Sequence, residues 1–122
     1  MGDTELLDML ATECDRRSVT IIEGVESLAE SGDSAPERVE ALRVEAHGLK
    51  GAALVVGQSR LAELALRIET ILTTRIAPGT IDMDVAAKLV PATSALREGA
   101  QAAADDTEEP PSVASALDSL KA

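Results

Sequence analysis

The chain's single histidine, His47, is followed by Lys50 three residues on and Gly51 four residues on. On a helix these three lie above one another on one face. Val39, Leu42, Ala46, Leu49, Ala53 and Val56 recur three and four apart, the period of a buried helical stripe. At about 100° per residue, His47 falls roughly 130° from the centre of that stripe and so faces outward. A neutral imidazole is a good nucleophile near neutral pH, because its unperturbed pKa is about 6.5. Lys50 can offset the charge of an incoming phosphoryl group. Gly51 has no side chain to block another protein's backbone, and Leu54, a turn further on, offers that partner an apolar contact. Gly48 and Gly51 each cost about 1 kcal/mol relative to alanine in a helix interior. Two such residues beside one histidine point to access.

The pattern His47-x-Leu49-Lys50-Gly51, with Gly57 six residues later, resembles the histidine-phosphotransfer (HPt) domains of two-component signalling. The whole layout is similar to the first, phosphotransfer domain of CheA-type chemotaxis kinases. The resemblance implies an all-α, antiparallel four-helix bundle with a short fifth helix. It also implies that His47 takes a phosphoryl group from a histidine kinase's ATP-binding domain or a phospho-receiver, and passes it to a receiver aspartate. No ATP site of its own and no cofactor are implied, and the partner receiver brings the magnesium ion. A free-standing carrier and the substrate domain of a larger kinase both fit. By the same resemblance, Glu69 on the third helix holds His47 Nδ1–H and leaves Nε2 free. From its spacing alone, Glu69 could equally be a solvated carboxylate. Those domains often carry a second histidine three residues before that glutamate; here Leu66 stands there, which implies a shorter polar relay around His47. Ala52 replaces a glycine often found after the Lys-Gly pair.

No phenylalanine, tyrosine or tryptophan is present, so the core must come from Leu, Ile, Val, Ala and Met, a composition that suits helices better than a sheet. At 122 residues the chain is one small domain. The net charge of −11 argues against nucleic acid. Residues 41–60 nevertheless carry Arg43, Lys50 and Arg60 against Glu45, a net +2, so the rest carries −13. This basic island, with Arg43, Gly48, Gly51, Leu54 and Arg60 as docking residues, fits the acidic pocket that the resemblance implies for receivers. The lone Cys14 reads as a small buried apolar side chain. The acidic start lacks signal-peptide features, and no apolar run reaches the length of a membrane span, so a cytoplasmic domain is expected, and an antiparallel bundle with a sealed core would be monomeric.

In order, residues 3–31 read as a first helix burying Leu7, Leu10, Cys14, Ile21, Val25 and Leu28, with a turn at Ser31-Gly32-Asp33. Ser34-Ala35-Pro36-Glu37 predicts a capping box at the start of the histidine helix. Gly57 ends that helix, and Ser59 caps a third running to about Thr73, which buries Leu61, Leu64, Ile68 and Ile71. After Pro78-Gly79, Asp82 or Asp84 caps a fourth helix, and Pro91 predicts a kink or break in it. The bundle is then residues 1–104, followed by an acidic linker, 105–110. Residues 111–122 form a short helix that docks through Val113, Leu117 and Leu120 and is too short to stand alone.

Two other functions compete. A helical docking module that is never phosphorylated would use the same fold. A hydrolytic or metal enzyme lacks the inventory, since one histidine and one cysteine supply neither three metal ligands nor a nucleophile–base–orienter set.

Overall fold

The three-four spacing produces five helices in the protein's structure, a computed structural model that describes residues 3–121. They are α1 (Asp3–Ser31), α2 (Pro36–Val55), α3 (Ser59–Ile76), α4 (Met83–Ala104) and α5 (Pro111–Ser119), with no strand among the described residues. Short connections fold α1–α4 into an antiparallel bundle, in which α1 packs chiefly on α4 and α2 on α3. The α1–α2 and α3–α4 contacts close the ring, and α5 lies across α3 and α4. No helix among the described residues is long and apolar enough to cross a membrane.

The buried stripe of α2 is Val39, Leu42, Ala46, Leu49 and Ala53, with Val56 half-buried past its end. On α1 the stripe is Leu10, Cys14, Ser18, Ile21, Val25 and Leu28, so polar Ser18 is also fully enclosed, while Leu7 is only half-buried. Burial, and then the Glu13 charge, push the Cys14 thiol up to about 12, so it stays protonated and inert. On α3, Leu61, Leu64, Ile68 and Leu72 are buried and Ile71 is half-buried. Buried alanines replace aromatics at Ala46, Ala53, Ala62, Ala65, Ala92, Ala95 and Ala100, so the bundle fills its centre with small side chains.

The helix ends show where local rules lose to distant contacts. Ser34 and Glu37 form no capping box: Ala35 is the N-cap, with no side-chain bond. The Ser34 hydroxyl instead donates to the Pro78 carbonyl at 2.8 Å, and the Ala35 N–H to the Gly79 carbonyl at 2.8 Å, tying two loops together. Gly79 has φ +72°, and a Cβ there would come within 2.6 Å of Pro36 Cδ. Ser59 does not cap α3 either, because Gln58 occupies that position. Gly57, at φ +75°, closes α2 with the two bonds of a Schellman turn: Gln58 N–H to Ala53 O at 2.9 Å and Gly57 N–H to Leu54 O at 3.1 Å. That turn leaves one residue before α3, and the Gln58 carbonyl accepts the first α3 bond, from Ala62 N–H. The third helix continues to Ile76, where Arg75 bonds the Thr80 carbonyl and hydroxyl. Of the two candidates for α4, Asp82 is the cap, accepting from Val85 N–H at 2.8 Å.

Pro91 does not break α4, which stays helical on both sides of it. Proline withholds a bond from the Ala87 carbonyl, but Ala87 and Pro91 both face solvent, where water can replace that bond. Buried Leu89, Ala92, Leu96 and Ala100 keep both halves docked. The acidic 105–110 segment is ordered by a second Schellman-type turn, with Asp106 at φ +55° and Thr107 N–H on the Ala102 carbonyl at 2.9 Å. Val113, Ala116 and Leu120 seat α5, and the Arg67 guanidinium donates to the Leu117 carbonyl. Pro91→Ala restores the missing donor at an exposed site and should stabilise the fold by about 1–3 kcal/mol, read as a higher urea midpoint at unchanged slope.

Candidate functional site

Two neighbouring stripes on α2 meet α3. The apolar one enters the core; beside it Arg43, His47 and Lys50, at i, i+4 and i+7, form a polar one that converges on Glu69 of α3. The His47 side chain remains 59% exposed, facing outward as its offset from the stripe predicts. Glu69 is 8% exposed, buried among the α3 core residues rather than solvated.

His47 Nδ1 lies 2.9 Å from Glu69 Oε2, and Arg43 Nη1 donates to the same oxygen at 3.0 Å. Lys50 Nζ stands 3.2 Å from Oε1, an ion pair off the line of a well-formed hydrogen bond. Burial by itself would raise the Glu69 pKa, but the Lys50 ammonium and the His47 ring N–H outweigh it and hold the carboxyl below the usual range. An ionised carboxylate only accepts, so Nδ1 carries a ring proton, and in the neutral imidazole the lone pair is then on Nε2. Leu66 is exposed, and the further donor to Glu69 in this chain is Arg43.

The other residues singled out by the sequence divide. Gly51 is exposed with open space where a Cβ would stand, and Leu54 is 58% exposed one turn on, with exposed Val55 next to it. Gly48 is explained differently. A Cβ there would meet Arg17 Nη1 at 2.5 Å, because the α1 guanidinium crosses α2 at that point to reach Glu45 at 3.1 Å. Arg60 does not join the cluster: it pairs with Glu109 at 2.9 Å. Arg43 is occupied by two glutamates, its Nε and Nη2 gripping Glu40 at 2.8 and 2.7 Å and its Nη1 reaching Glu69. Sequence reasoning passed over Arg17 and Glu40. The Glu40–Arg43 pair was readable as an i, i+3 spacing, whereas Arg17 left no local signal beyond a polar break in the α1 stripe.

A protein-family model described as Hpt domain matches residues 5–106, a span that contains the whole cluster. The chain belongs to the Hpt domain family. Such domains are phosphocarrier modules of two-component phosphorelays, which carry a phosphoryl group on histidine and interact with histidine kinases and receiver domains. No curated protein matched the chain. In this Hpt domain α5 lies beyond the matched span.

The depressed Glu69 carboxyl sets a pH dependence. A group whose pKa is lower folded than unfolded stabilises the fold above its unfolded value, about 4.3, and loses that contribution as pH falls through the folded value. Wild type should therefore be more stable than Glu69→Gln at pH 7, and the gap in urea midpoint should narrow as pH falls below about 4.3.

Proposed function

We propose that His47 is the phosphoacceptor, with Nε2 as the attacking atom, and that Glu69 and Lys50 assist it directly. The observation that carries this reading is the Nδ1 contact with a buried, ionised Glu69 on a ring that is otherwise open to solvent. In the step itself the Nε2 lone pair forms the P–N bond while the P–O bond to the donor breaks, and the donor oxygen leaves with the electron pair. The Nδ1 proton stays on the ring, whose new positive charge faces the Glu69 carboxylate. Lys50, held by one contact, can turn from Oε1 to the phosphoryl oxygens. Return transfer to a receiver aspartate reverses these changes.

Positioning and charge complementarity do most of the work in such transfers, and the partner's acidic pocket supplies the magnesium ion. The docking face of this reading is His47, Gly51 and Leu54. Arg60, paired with Glu109, has a smaller part than the sequence alone assigns it. The packed fifth helix supports the finer likeness to the phosphotransfer domain of CheA-type kinases, in which a kinase's ATP-binding domain is the donor. The carrier is then the bundle, residues 1–104, with 111–122 as a brace joined by 105–110, and it works as a monomer in the cytoplasm.

Phosphoramidate tests the chemistry without a cognate partner. Intact-mass measurement should find one acid-labile phosphoryl group on wild type and none on His47→Gln. A folded wild type that takes none would make the bundle a docking module instead. Gly51→Ala separates docking from chemistry. With open space for the methyl group it should stabilise the fold by about 1 kcal/mol, leave phosphoramidate labelling unchanged and slow transfer to a receiver about tenfold or more.

A further inference from the structure

Oε2 of Glu69 accepts two bonds, and only the one from His47 has a part in the transfer described above. The other comes from Arg43, all three of whose guanidinium nitrogens are engaged: Nη1 on Glu69, Nε and Nη2 on the two oxygens of Glu40. A planar fork held at two points by one carboxylate presents its third donor in a fixed direction. Lys50 is the opposite case, a flexible stem with one contact to the other Glu69 oxygen. The two cations are therefore unequal, one fixed and one able to move.

We infer that Arg43 is a positioning residue: anchored on Glu40, it holds Glu69 aimed at His47 Nδ1, and goes on doing so when Lys50 leaves for the phosphoryl group. Only the second clause rests on the phosphocarrier reading. A glutamate side chain has three rotatable bonds, and with Lys50 gone the imidazole alone would have to orient it. Arg43 restricts that freedom from the side away from the phosphoryl group, without touching the reacting atoms. This moves Arg43 from the docking face to the support of the nucleophile.

Nitrogen NMR of ¹⁵N-histidine-labelled protein reads the ring tautomer directly and needs no phosphoryl donor. Wild type, Arg43→Gln and Arg43→Lys would be compared, with folding followed by circular dichroism and the phosphoramidate labelling rate measured on the same samples. Wild type should be chiefly the Nδ1–H tautomer. Arg43→Gln should mix the tautomers and slow labelling about tenfold. Arg43→Lys keeps the charge but cannot hold Glu40 at two points and still reach Glu69, so it should recover only part of either property. Adding Arg43→Gln to Glu69→Gln should cost nothing further, since both act through one contact. An unchanged tautomer in folded Arg43→Gln would overturn the inference. So would normal labelling with slowed transfer to a receiver, the signature of a docking residue. If Arg43→Gln does not fold, the Arg43→Lys spectrum decides. A wild type that takes no phosphoryl group would sink the carrier reading, while the tautomer comparison would still decide on Arg43.

Discussion

The Glu69 carboxylate is the constraint around which the site and much of the helix packing are arranged. A charge at 8% exposure is tolerated only if its lone pairs are met. Arg43 and His47 meet one oxygen with hydrogen bonds and Lys50 faces the other as an ion pair, and all three come from α2, one above another. The polar stripe lies beside the apolar stripe of Val39, Leu42, Ala46, Leu49 and Ala53, so one rotation of α2 satisfies both. Turning α2 by one residue, about 100°, would expose the stripe and leave the carboxylate buried without partners. The register that folds the bundle is thus the register that orients the histidine.

The rest of the scaffold fixes that register. The Schellman turn at Gly57 and the single residue before α3 leave little freedom in how the third helix returns along the second. At the opposite end of that pair, the bonds from Ser34 and Ala35 to Pro78 and Gly79 hold the start of α2 against the loop after α3. Buried alanines on α2, α3 and α4 allow the helices to approach without aromatic filler. Close packing of small side chains makes a rigid frame, because a shift of one helix has no loose volume to enter. His47, on the outer face, is then held by its backbone and by one hydrogen bond, with no need of a pocket around it.

Much of this was legible in the sequence because it is local. The α2 stripe, the outward His47, the closing Gly57 and an aspartate cap at Asp82 or Asp84 each depend on residues within about one or two turns. What was not legible joins distant segments. Ser34 has the type and spacing of a capping residue, but a carbonyl 44 positions away takes its hydroxyl. Gly48 reads as open space until Arg17, arriving from α1, is seen to fill it. Pro91 breaks a helix by rule, yet the rule counts a lost bond without knowing that the bond faces water. Arg43 was hardest, because glutamates lie within its reach on two helices and a long side chain's direction is set by tertiary packing. The resemblance placed Glu69 beside His47, where the structure has it; it did not reveal that an arginine of α2 would donate to the same carboxylate oxygen.

The ion pairs also change what the basic island means. Arg43 is bound to Glu40 and Glu69, Lys50 to Glu69, and Arg60 to Glu109, so the positive charge counted along the sequence is mostly matched within the fold. With neutral His47, the group Glu40, Arg43, Lys50 and Glu69 carries no net charge. If His47 is the phosphoacceptor, as proposed, a phosphoryl dianion adds more negative charge than the ring gains in positive charge, so the loaded site is net negative. Such a site suits a carrier. Cations free to surround the phosphoryl group would stabilise the loaded state as much as the transition state, and the group would be slow to leave. On the proposed reading, Lys50 can follow the group only by leaving Glu69, while Arg43 stays behind on the carboxylate that faces the ring. On that reading, the balance between accepting and releasing a phosphoryl group is set by how tightly a buried glutamate retains its lysine.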